Sequence, residues 1–94
     1  MATVGAVQRK IERVEGFPVV ILHPDGRNVR DDRTRMPGYP FERAMRNSSN
    51  VTAWKRRRFY PTYPGFEVEV VGADRRAKHG ATLLGTVRDE FLDA

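Results

Sequence analysis

The residues best suited to chemistry lie in one stretch, TAWKRRRFYPTYPGF, residues 52–66. Four consecutive cations, Lys55, Arg56, Arg57 and Arg58, run into the aromatics Phe59, Tyr60, Tyr63 and Phe66, with Pro61 and Pro64 between them. Guanidinium groups pair phosphate oxygens through two parallel hydrogen bonds. Aromatic rings held in a stiff proline-containing loop offer faces on which bases can stack. Basic and aromatic residues interleaved in this way fit the contact of a nucleic-acid backbone, with Tyr60 and Tyr63 as stacking candidates. A plainer reading fits the same residues: cations in a last helical turn complement the helix dipole, and the aromatics after it cover a core.

The other reactive side chains do not form catalytic patterns. His23 and His79 are the only histidines, and no H-x-x-H or H-E-x-x-H spacing occurs, so no metal site is expected. Asp31-Asp32 and Asp89-Glu90 are adjacent carboxylate pairs. On a strand such neighbours point to opposite faces, and in a loop they are solvated, so salt bridges to nearby arginines are their expected role. Gly72, Gly80 and Gly85 fit neither phosphate-loop spacing. Ser48 and Ser49 sit between two helical segments, where capping accounts for both. The reading is therefore a non-enzymatic protein that needs no cofactor.

Charge distribution sharpens the choice of partner. The chain of 94 residues carries 17 Lys and Arg against 12 Asp and Glu, a net +5. Residues 41–60 hold Arg43, Arg46, Lys55, Arg56, Arg57 and Arg58 against Glu42 alone, so the whole excess lies there. A localised field of one sign attracts polyanions. The expected partner is a nucleic-acid backbone, bound through Arg43, Arg46, Lys55, Arg56, Arg57, Arg58, Tyr60 and Tyr63. The alternative is a protein-interaction module, such as an inhibitor, antitoxin or assembly subunit, that docks on an acidic protein surface. Tyr, Trp, Phe and Arg are also the residues enriched at interface hot spots.

These side chains need elements to position them. FERAMRN, residues 41–47, reads as a short helix, SSN as a break, and VTAWKRRRFY as a second helix with Asn50 as its cap and its end at Tyr60 before Pro61. At about 100° per residue, Val51, Trp54 and Phe59 share one arc facing the core, while Arg56 and Arg57 point away from it. Lys55 and Arg58 lie within the stripe, with stems along its edges and charges reaching out. A helix-turn-helix reading is weak, because recognition helices read bases from their N-terminal end and here the cations sit at the other.

Before this pair, Val4, Val7, Ile11 and Val14 match a helical stripe. Yet Val7, Arg9, Ile11 and Arg13 also alternate as in a strand, and the strand reading is slightly favoured because the apolar run Phe17 to His23 follows at once. HPDGR is a turn, after which RNVR can pair back, and residues 30–40 form a polar loop of alternating charge. After the helices, Phe66, Val68 and Val70 alternate with Glu67 and Glu69. TLLGTVRDEF then reads as the returning arm of a hairpin, with a closing helix over TVRDEFLDA as the weaker option. The expectation is one α+β domain over residues 1–94, with a small, mainly antiparallel sheet of three to four strands and two short helices mid-chain. The edge strand Phe66–Val71 could pair across a homodimer.

Composition bounds the rest. There is no cysteine, so no disulfide or thiolate site exists, and packing alone must stabilise the fold. No apolar run approaches membrane-spanning length, and the N-terminus lacks the pattern of a secretory signal, so a cytoplasmic protein that does not enter a membrane is expected. Two N-x-S/T sequons at Asn47 and Asn50 then read as chance occurrences in a Ser/Asn turn.

Overall fold

The computed structural model describes residues 2–92. The chain opens with a helix, α1 (Val4–Glu15), where the alternating pattern had favoured a strand. The caps decide the contest. Thr3 Oγ1 accepts a hydrogen bond from the Ala6 N–H at 3.1 Å, and Gly16 closes the helix at φ 83°, donating its N–H to the Glu12 carbonyl. A left-handed residue at that point favours glycine. Val4, Val7 and Ile11 fall on one buried stripe. Glu15, on the same face, is buried with them.

Strand β1 (Val19–Leu22) is shorter than the apolar run suggests and pairs antiparallel with β2 (Glu67–Val70), Val19 opposite Val70 and Leu22 opposite Glu67. The HPDGR turn forms as expected: the Gly26 N–H donates to the His23 carbonyl at 2.9 Å, and Gly26 takes φ 89°. RNVR returns only as a single bridge, Leu22 to Asn28. Gln8 reaches from α1 to accept the Ile21 N–H at 2.8 Å, fastening the helix to the strand. In β2 the alternation is as expected, with Val68 and Val70 buried and Glu69 exposed.

Residues 41–47 are not a helix. Seven residues after a proline give little return on a costly nucleation step, and their backbone groups bond elsewhere. The Met45 N–H donates to Glu15 Oε1 at 2.9 Å, and the Arg43 carbonyl accepts from Arg58 at 2.6 Å.

The basic helix, α2 (residues 51–62), starts where expected, Asn50 Oδ1 accepting the Ala53 N–H at 2.8 Å. It does not stop at Tyr60. Val51–Trp54 is α-helical, Lys55–Phe59 widens to a π-helical turn, and Tyr60–Thr62 continues beyond. Proline lacks an N–H and its ring crowds the carbonyl four residues back. The wider turn, in which the Tyr60 N–H reaches Lys55 O, carries the chain into Pro61. The Thr62 hydroxyl then donates to the Arg58 carbonyl at 2.8 Å. The bulge also brings Trp54 and Phe59, five residues apart, to ring centroids 6.0 Å apart.

The expected returning arm of a second hairpin is instead a helix, α3 (Leu84–Leu92). Its first free N–H groups are met by the Ser/Asn turn: Leu84 donates to the Ser49 carbonyl at 2.8 Å and Gly85 to the Asn47 carbonyl at 3.1 Å. Gly85 permits this approach, because a Cβ there would stand 2.8 Å from Asn47 Cβ. Leu84 and Val87 are buried one turn apart. Residues 93–94 of the closing-helix reading lie outside the described residues.

The class is therefore α+β, but with a two-stranded antiparallel sheet and three helices among the described residues, not three to four strands. The β2 edge expected to lie open is covered in part by residues 77–78, where the Lys78 N–H donates to the Val70 carbonyl at 2.8 Å. No helix of the described residues is long and apolar enough to cross a membrane.

Candidate functional site

Four of the expected contact residues are exposed: Arg43 and Arg46 in the irregular approach to α2, and Arg56 and Arg57 on its outer side; Lys55 is half-buried. None of these five forms an ion pair among the described residues. Glu42, the lone acid of the segment, is taken by Lys10 at 3.0 Å. The bond from Arg58 to the Arg43 carbonyl holds the approach segment beside α2.

Arg58 departs from the expected strip. Its guanidinium turns inward, donates to Glu15 Oε2 at 2.6 Å and covers the Phe41 ring at 4.4 Å. Burial opposes its charge, but the hydrogen bond and charge of Glu15 hold its pKa above the ordinary arginine value. The same carboxylate receives the Tyr39 hydroxyl at 2.5 Å and, at 3.5 Å, the Arg88 guanidinium. Burial leaves Arg88 lowered despite Glu15, with Arg58 repelling it. Arg88 Nε also donates to the Glu15 carbonyl at 2.6 Å, and Trp54 Nε1 donates to Tyr39 Oη at 3.1 Å. Three side chains, Tyr39, Arg58 and Arg88, and the Met45 N–H thus close around one carboxylate, with Trp54 behind Tyr39. A buried charge needs this much compensation.

The tyrosines also depart from the stacking reading. Tyr63 is 1% exposed, packed against Phe59 with centroids 5.1 Å apart. Its hydroxyl is the one buried side-chain polar atom among the described residues without a partner. Tyr60 is half-buried and donates its hydroxyl to Glu67. Neither ring offers a free face of the kind the sequence suggested.

Those environments have a measurable consequence. Burial pushes Tyr63 up to about 12; burial and then the Glu67 hydrogen bond push Tyr60 up to about 12; burial and Glu15 raise Tyr39 further still. Unfolded tyrosine titrates near about 10. The folded state therefore retains protons that the unfolded state has lost, so stability falls as pH rises through the window from about 10 to about 12. Phenolate absorbance of the native protein is expected to rise only well above pH ~10, whereas in urea it rises near ~10. Ordinary titration of two of the three tyrosines in the native state would contradict their burial.

One feature of this surface was not legible in the sequence. A groove of about 760 Å³ lies between the loop around residues 30–37 and the segment leaving α2, residues 62–66. Val29, Met36 and Tyr63, all buried, line it together with the exposed Arg30, Arg33 and Arg35. Phe66 and His23 also line it, their rings 6.4 Å apart, with Arg33 over Phe66 at 5.1 Å. The interspersed Asp31 and Asp32 made this loop read as neutral. Of the two, only Asp32 lines the groove, and it is paired with Arg30 at 3.1 Å. His79 lies elsewhere, in an exposed turn, where its Nδ1 accepts the Ala81 N–H at 3.0 Å.

Comparison with known proteins supplies no relative from which a role could be carried over: no family model, no curated protein and no solved structure matches the chain.

Proposed function

We propose that this protein binds a nucleic-acid backbone through Arg43, Arg46, Lys55, Arg56 and Arg57. The observation that carries the reading is that these five cations of one segment have no carboxylate partner among the described residues, and that the segment's only acid is bound to Lys10. Unpaired guanidinium groups on a helix and its approach segment suit phosphate oxygens, which fix position without reading sequence. Arg58 does not contribute to this surface, since Glu15 neutralises it.

The test is fluorescence anisotropy with labelled duplex DNA, single-stranded DNA and RNA at several salt concentrations. Affinity is expected to fall log-linearly with salt, by a slope of about −0.9 for each duplex phosphate neutralised. Arg56→Ala with Arg57→Ala is expected to weaken binding and make that slope shallower by about 2. Its unfolding free energy from urea titration should stay within about 0.5 kcal/mol of the parent, since both side chains are exposed. Absence of binding to all three probes at low salt would overturn the proposal and leave an acidic protein surface as the partner to seek.

A further inference from the structure

We infer that the groove between residues 30–37 and 62–66 seats a nucleotide of a single strand, its base against the apolar floor and its phosphate on Arg33 and Arg35. The inference rests on the backbone-binding reading and adds to it a second, chemically distinct subsite. Three observations converge on it. The volume, about 760 Å³, lies in the range of small-molecule sites, about 300–1,000 Å³. The floor is apolar, closed beneath by the buried Val29, Met36 and Tyr63 and presenting the half-buried Phe66 with Pro37 and Pro64, while the rim is cationic. The only lining carboxylate, Asp32, is taken by Arg30, leaving Arg33 and Arg35 without an acidic partner among the described residues.

A ligand that fits must present a flat apolar group next to an anion. A nucleotide does so, and a single strand repeats the pair at each residue. A duplex keeps its bases stacked inside and could offer the groove only its phosphates. The helix that carries Arg56 and Arg57 also supplies Thr62 to the groove wall, so the two subsites share one element. Arg35 holds φ 65°, in the left-handed region that glycine adopts freely.

The test compares a short oligothymidine with a DNA hairpin duplex of equal phosphate number. Arg33→Ala combined with Arg35→Gly removes both guanidinium groups, and glycine is at ease at this φ, so the fold should be kept. Phe66→Leu, made separately, keeps apolar volume and removes the ring. Phe66→Leu is expected to lose about tenfold in oligothymidine affinity and to leave duplex affinity nearly unchanged; the arginine double variant is expected to weaken both probes, oligothymidine by about tenfold more than duplex. Equal losses for both probes, or none for either, would overturn the groove assignment while leaving the reading of the α2 strip in place. Equal competition by a poly-glutamate peptide against oligothymidine would also overturn it. A parent protein that binds no nucleic acid at all would overturn both proposals, which separates that failure from the others.

Discussion

Replacing Glu15 with alanine is expected to destabilise the fold by about 3–5 kcal/mol. The carboxylate is fully buried, and its removal leaves Arg58 and Arg88, each with only 17% of its side chain exposed, facing each other without a counter-charge. The Tyr39 hydroxyl and the Met45 N–H lose their acceptor as well. Urea unfolding followed by circular dichroism checks this. A loss below about 1 kcal/mol would place the cluster in the class of exposed ion pairs. The cost belongs to breaking the set, not to its net worth. Changing Glu15 to leucine together with Arg58 and Arg88 to methionine should recover the part of the loss that comes from two unpaired guanidinium groups, but not the part that comes from the Tyr39 hydroxyl and the Met45 N–H.

Trp54→Ala is expected to cost about 3–5 kcal/mol. The indole has no exposed surface, meets Phe17 edge-on at 5.3 Å and lies beside Phe59. Trp54→Phe separates packing from polarity. It keeps most of the ring volume and gives up the Nε1–H bond to Tyr39, a contribution of about 1 kcal/mol. Tyr39 still has Glu15 to donate to, so the hydroxyl is not orphaned. An alanine variant as stable as the parent would mean that the π-helical turn rearranges to fill the space.

What could be read from the sequence was what short-range rules govern. Asn50 caps α2, Gly26 makes its turn, and Val68 and Val70 alternate inward because cap, turn and pleat chemistry act over a few residues. Arg56 and Arg57 point outward for the same reason. Most of the misread parts depend on distant partners. Residues 4–15 are the exception: they fit two periods, and the caps that decide between them, Thr3 and Gly16, are adjacent in the chain. Residues 84–92 look like a strand until the turn at 47–49 supplies carbonyls to a helix start. Nothing local to Arg58 indicates that a carboxylate forty-three residues earlier will turn it inward. Tyr63 likewise read as a residue of an open loop, because the helix was expected to stop at Tyr60, and the π turn that carries the chain on through Pro61 has no local signal.

The Glu15 cluster also sets an order of assembly. Its acid is supplied at residue 15, its hydroxyl at 39, one guanidinium at 58 and the other at 88. Contacts so far apart along the chain pay a loop-closure entropy before they return anything. A polypeptide emerging during synthesis therefore holds a carboxylate in its first helix that gains its closest counter-charge only when α2 brings Arg58, and its last when α3 brings Arg88. Partial folds that bury Glu15 before Arg58 is available are disfavoured, because they would enclose a carboxylate without its counter-charge.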